Sequence, residues 1–151
     1  MKKVFCIVLL ALGFQAAQGQ TTTAPTVARP VVNRNDDAIL VALTDSPEAT
    51  WRKLAQVLVQ RGYSIEHSDQ SLLTLSTHPF GQSSFPVRVT GMVLEQTLIL
   101  RMYEWNVAAF GAVGASPVRR RGDYTGWREL EAIAQEMGTV VRYTASNTIL
   151  N

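Results

Sequence analysis

Apolar and polar positions along this chain change period several times, and each change marks an element. Residues 38–43 form an unbroken apolar run, the pattern of a buried first strand. Asp45-Ser46-Pro47 follows, with Ser46 or Asp45 able to cap a helix whose first residue is Pro47. Glu48 then sits in the first turn, where the helix dipole favours it. Trp51, Leu54, Ala55 and Leu58 recur at helical spacing on one stripe, and Gly62 is a stop signal. A second stripe runs through Trp127, Leu130, Ile133, Ala134 and Met137 and ends at Gly138.

Between the helices the period drops to two. Residues 63–68 and 72–77 read as one hairpin, with Asp69, Gln70 and Ser71 as its loop. That register sets Ile65 opposite Leu75, His67 opposite Leu73 and Tyr63 opposite Thr77, and it keeps Glu66 with Thr74 and Ser64 with Ser76 on the other face. A shift of one residue would mix apolar and polar positions on both faces. Residues 85–94 and 97–107 read as a second hairpin turning at Glu95-Gln96. Pairing Leu94 with Thr97 gives a core face of Val93 with Leu98, Gly91 with Leu100 and Val89 with Met102. Glu95-Gln96 is not a favoured two-residue turn, which leaves a longer loop open. Residues 108–124 read as a long connection holding Gly111, Gly114, Pro117 and Gly122, and residues 139–143 as a short extended segment. The expected fold is α+β in the order β-α-β-β-β-β-α, a mainly antiparallel sheet with both helices on one face.

The chain opens with Lys2-Lys3, an apolar stretch from Val4 to Phe14, and small residues at Ala17 and Gly19 before Gln20. This is the pattern of a cleaved secretory signal over residues 1–19, and the apolar stretch is well short of the about twenty residues that span a membrane. Residues 20–35, rich in Thr, Pro and Ala, read as a disordered linker or alternatively an extra strand through Val31-Val32. Residues 36–143 form the single domain, and 144–151 a flexible tail. The expected location is therefore outside the cytoplasm, periplasmic or secreted, with no membrane span in the mature chain.

Export changes the composition that matters. The only cysteine, Cys6, lies inside the leader, so the mature chain would have no thiol, disulfide or cysteine metal site. The net charge of +2 disappears with Lys2 and Lys3, since the fourteen Lys and Arg fall to twelve against twelve Asp and Glu. A neutral domain lacks the concentrated positive footprint that nucleic acid or an anionic membrane requires.

Helix, glycine turn and strand over residues 47–77 carry a resemblance. Ala49-x-Trp51, Leu58, Gly62-Tyr63-Ser64-Ile65, Asp69, and a strand with Leu73 and Leu75 follow in order. This stretch resembles small exported bacterial domains of TATA-binding-protein-like topology. Among them is the repeated domain of the lipoprotein subunit of the outer-membrane β-barrel assembly machinery. The resemblance implies a noncatalytic envelope module. It does not imply membership of that machinery, since the chain has one copy of the domain and no lipid-attachment cysteine, nor does it bring DNA binding with it.

Catalytic chemistry has few candidates. In the expected register His67 and His78 lie roughly 17 Å apart on opposite faces, at about 3.3 Å per residue, too far to share a metal. No nucleophile elbow, zinc-protease motif or phosphate loop is present. Gly111-Ala112-Val113-Gly114 reads as a loop. Arg121-Gly122-Asp123 reads as a turn before a helix rather than an adhesion signal, and Arg119 to Arg121 as a solvated cluster. No enzyme activity, metal or cofactor is expected.

The outer face of the second hairpin holds the candidate site. Its register sets Pro86 opposite Trp105, Arg88 opposite Tyr103, Thr90 opposite Arg101 and Met92 opposite Ile99. A partner surface of Arg88, Met92, Ile99, Tyr103 and Trp105 follows, with an Arg88–Tyr103 cation–π pair and another envelope protein as its partner. Three alternatives stay open: the 108–124 connection or the linker folds over this face, a cavity between sheet and helices binds a small ligand, or, as a distant third, an enzyme site goes unrecognised. Oligomeric state is not legible.

Overall fold

Ala38–Ala42 forms the first strand, β1, of a computed structural model that describes residues 30–81, 86–107, 113–121 and 124–146. The leader over residues 1–19 and the linker up to residue 29 lie outside the described residues. Its last part, from Pro30, reaches β1 with Val32 packed partly buried against the core and the Asn33 N–H donating to Asp36 Oδ2 at 2.6 Å.

Helix α1 spans Pro47–Gln60 and starts as the sequence indicates: Pro47 is the first residue, and Ser46 Oγ accepts from the Ala49 N–H at 3.2 Å. Its end is made by Gly62, at φ +87, a conformation that lets the chain double back for Tyr63 N–H to reach the Leu58 carbonyl. The buried stripe is Thr50, Leu54, Val57 and Leu58, so the helix is turned slightly from the expected one. Trp51 sits at the edge of the core, half-buried, its indole N–H donating to the Thr74 carbonyl at 3.1 Å. Indole amphipathicity explains the difference, since the ring packs while its N–H needs an acceptor.

The first hairpin is β2, Ile65–Asp69, with β3, Thr74–Thr77. Its register differs from the expected one: His67 pairs with Ser76 and Ser68 with Leu75, with a bulge between Ile65 and His67. The cause is Asp69. Its carboxylate accepts from the N–H and Oγ of Ser71 and from the Leu72 N–H, an Asx-type turn that winds four residues into the loop. Leu73 closes that loop at φ +51. The longer loop slides β3 along β2.

The second hairpin is β4, Val87–Leu94, with β5, Thr97–Val107. Every expected pair from Arg88 with Tyr103 to Leu94 with Thr97 is present. Glu95 takes φ +52 to make the two-residue turn that Gly or Asn usually supplies.

The 108–124 connection contains a strand, β6, Val113–Pro117, which pairs antiparallel with the far half of β5. Helix α2, Thr125–Met137, buries Trp127, Leu130, Ile133, Ala134 and Met137. The extended segment after it is β7, Thr139–Thr144, paired with β1. Beyond it, Asp37 Oδ1 accepts from both the N–H and Oγ of Ser146.

The fold is thus α+β, as the sequence indicates, with β6 and β7 added. All strand pairings are antiparallel, in the order β2-β3-β4-β5-β1-β7, and β6 continues alongside β5 where β1 ends. Both helices lie on one face. Ile39, Val41, Leu54, Leu58, Val89, Leu98, Leu100, Met102, Trp127, Leu130 and Ile133 share one buried cluster there. Gly91 makes the close approach possible: a Cβ at this position would stand 2.2 Å from Leu54 Cδ2.

Candidate functional site

Strand alternation turns every second residue of β4 and β5 away from the helices. Registers across the sheet therefore order the outer face into rows. One row runs Thr74, Met92, Ile99, Leu40 and Arg142; the next runs His67, Ser76, Thr90, Arg101 and Ala38. Beyond these, Arg88 pairs with Tyr103, Tyr103 with Pro117, and Trp105 with Ala115.

All five expected site residues fall on this face, and they divide into two groups. Ile99, 4% exposed, forms a small second cluster with Ala38 and Leu40, and Met92 packs against it. Arg88, Tyr103 and Trp105 are half-buried further along the hairpin. The expected Arg88–Tyr103 stack is replaced by a diagonal one: the Arg88 guanidinium lies 4.7 Å from the centre of the Trp105 ring. A carboxylate from β2 sets that orientation, since Arg88 Nη2 is 2.6 Å from Glu66 Oε2. A long side chain anchored at its tip by a neighbouring strand spans a diagonal better than the residue directly opposite.

Residues 113–117 lie in the plane of the sheet as β6, beside β5 and not over its outer face. Residues 108–112 lie outside the described residues, as does Gly122-Asp123 of the Arg-Gly-Asp tripeptide. Arg119 is half-buried, and Arg120 and Arg121 are exposed, with the Arg120 N–H donating to the Asp36 carbonyl. Both histidines are exposed. His78 Nδ1 stands 3.8 Å from Glu66 Oε1, and His67 lies on β2. Among the described residues no three His, Cys, Asp or Glu side chains gather as metal ligands would.

A second concavity lies on the helix side of the sheet, where α1 ends and α2 begins. Tyr63, Phe80, Val87, Glu104, Tyr124 and Gly126 line a cleft of about 780 Å³. Arg61 walls one side, bridging the two helices through Glu129 at 2.7 Å and Glu136 at 2.6 Å. Hydrogen bonding to Arg61 holds the Glu136 carboxyl below its usual range. Burial pushes the Tyr63 phenol up to about 12, and burial followed by a hydrogen bond to Glu104 raises Tyr124. Tyr63 and Phe80 stack at 5.0 Å between ring centroids.

The sequence points to a cavity between sheet and helices but not to its lining, which comes from Arg61 and Tyr63 ahead of β2, an isolated bridge at Phe80, and the entry to α2. The available signal was Glu104, a carboxylate on the face of β5 that otherwise carries Leu98, Leu100 and Met102. The chain matches no protein-family model, and no curated protein is significantly similar to it. Among the described residues no helix is long and apolar enough to cross a membrane.

Proposed function

We propose that this chain is an exported, noncatalytic interaction domain of the bacterial envelope, and that it binds a protein partner through the outer face of β4 and β5. One observation carries the reading. Arg88, Tyr103 and Trp105 sit half-buried on a sheet face that neither helix nor β6 covers, with Arg88 seated over the Trp105 ring. Aromatic and arginine side chains held in place before contact are the residues that dominate protein interfaces, because little side-chain freedom is left to lose. The neighbouring row of Met92, Ile99 and Leu40 adds an apolar strip.

Two measurements test the reading. Mass spectrometry of exported protein is expected to give an N-terminus at or near Gln20; a mature chain beginning at Met1 would remove the export step. Tyr103→Ala and Trp105→Ala are expected to weaken partner capture from envelope extract by about 2 kcal/mol or more each, with folding intact. Lower melting temperatures with unaltered capture would retire the interaction surface.

Small-ligand binding is the second reading, and the cleft of about 780 Å³ beside Tyr63, Phe80 and Tyr124 favours it. Its volume lies within the about 300–1,000 Å³ of ligand pockets. A ligand seated there would quench or shift tyrosine fluorescence in the wild type and lose affinity in Phe80→Ala, while leaving Tyr103→Ala unaffected.

A further inference from the structure

Resting on the interaction surface proposed above, the geometry points to the chemistry of its partner: an acidic protein side chain docks on Arg101, and an adjoining apolar side chain packs on Met92 and Ile99. Three half-buried arginines of this domain, Arg61, Arg88 and Arg101, each have a buried Nε and invite comparison. Arg61 holds two carboxylates, Glu129 and Glu136. Arg88 holds Glu66 and the Trp105 ring. Arg101 has no ion pair and no side-chain hydrogen bond among the described residues. The Nε of all three is buried without a partner, so Arg101 alone lacks an acceptor at its terminal nitrogens as well.

Its surroundings explain what the missing acceptor is. Arg101 ends a polar row, His67-Ser76-Thr90-Arg101, that crosses four strands and spans roughly 14 Å at about 4.8 Å per strand. Each member can donate a hydrogen bond, and none carries a carboxylate. Parallel to it runs the apolar pair Met92 and Ile99, and the two rows together line a groove of about 250 Å³. That volume is below the about 300 Å³ at which ligand pockets begin, and it suits one or two side chains. Such a pocket, mostly apolar with a row of donors along one side, is complementary to a carboxylate beside an aliphatic group. A single unpaired guanidinium is too little for a polyanion, which needs a row of cations. Met92 and Ile99 cover too little area for an acyl chain.

Nuclear magnetic resonance of the exported chain, with the blocked dipeptide acetyl-Leu-Glu-amide as probe, tests the assignment. Saturable shifts at the Met92 and Ile99 methyls and at the Thr90 amide are expected. They should weaken by at least about fivefold with acetyl-Leu-Gln-amide, which removes the charge-assisted bond. Arg101→Gln should abolish them at an unchanged melting temperature, and Arg101→Lys should restore them only in part, because an ammonium lacks the planar fork. Equal shifts with the glutamine probe, shifts reproduced by inorganic phosphate alone, or no saturation would each overturn the proposal. If Tyr103→Ala and Trp105→Ala abolish capture while the dipeptide leaves Met92 and Ile99 unmoved, the wider surface stands and this groove assignment falls. Dipeptide binding at Arg101 with unaltered capture by both variants would keep the groove and remove the wider surface.

Discussion

The two faces of this sheet are built from the same strands, residue by residue in alternation, yet they differ in kind. Toward the helices β5 presents Leu98, Leu100 and Met102, all fully buried. Toward the other side it presents Ile99, Arg101, Tyr103 and Trp105, which grade from buried to half-exposed. As far as Met102 the first face is uniformly apolar, because it excludes water against α1 and α2. The second is graded because nothing in the described fold requires a tryptophan, a tyrosine and an arginine there. A solvated sheet face is satisfied by Thr, Lys or Glu. Stability therefore concentrates on one side of the sheet, and the chemistry capable of recognition on the other.

The largest expected effect tests the helix side. Trp127, 2% exposed, fills the space between α2 and the sheet beside Tyr143. Trp127→Ala is expected to cost about 3–5 kcal/mol, read by chemical denaturation; a cost under about 1 kcal/mol would mean that α2 is not a pillar of the core. Gly91→Ala comes next. The added methyl would overlap Leu54 Cδ2 and force a buried leucine from its rotamer, for about 1–3 kcal/mol.

On the outer side the same measurement is expected to give less. Trp105→Ala removes the ring beneath Arg88, a contact worth about 0.5–1 kcal/mol at an exposed site. A cost as large as that of Trp127→Ala would erase the distinction between the faces. The smallest effect vanishes at neutral pH. Burial raises the Tyr63 phenol from 10.0 to about 12, so the folded state holds that proton more tightly than the unfolded chain. The associated stability is complete below about pH 10 and is lost as pH climbs toward 12. Tyr63→Phe should flatten that alkaline slope in pH-dependent melting, and an unchanged slope would show that Tyr63 is not its source.

Much of this division is legible in the sequence. The 3.6-residue stripes gave both helices, and strict alternation gave the second hairpin with its register, because a slip by one residue would have exchanged its two faces. The register of the first hairpin is not legible in this way, since Asp69 is more than a loop residue: its carboxylate organises a longer loop that ends at Leu73. Alternation alone does not report how many residues a side-chain cap winds into a turn. β6 was hidden because Val113-Gly114-Ala115-Ser116-Pro117 has little strand propensity and owes its extended form to the free edge of β5. The five outer-face residues were placed on their face, but not the diagonal from Arg88 to Trp105, which depends on Glu66 arriving from another strand. Arg101 pairs with Thr90 as alternation indicates, but its lack of a carboxylate becomes visible only when its neighbours are in place.

The place of β1 also bears on how the chain acquires its structure. Among the described residues the first strand made, β1, is a central one, flanked by β5 on one side and β7 on the other. A chain emerging amino-terminus first must carry the apolar Ala38–Ala42 unpaired while more than fifty residues follow before Thr97, and its second edge stays open until Thr139–Thr144 arrives. Pairings of such long sequence separation form late and slowly. Until then Ile39, Leu40 and Val41 form an exposed adhesive segment, and β1 is closed only when β7 pairs with it. Loss of β7 by truncation would therefore leave the earliest-made strand permanently unsealed.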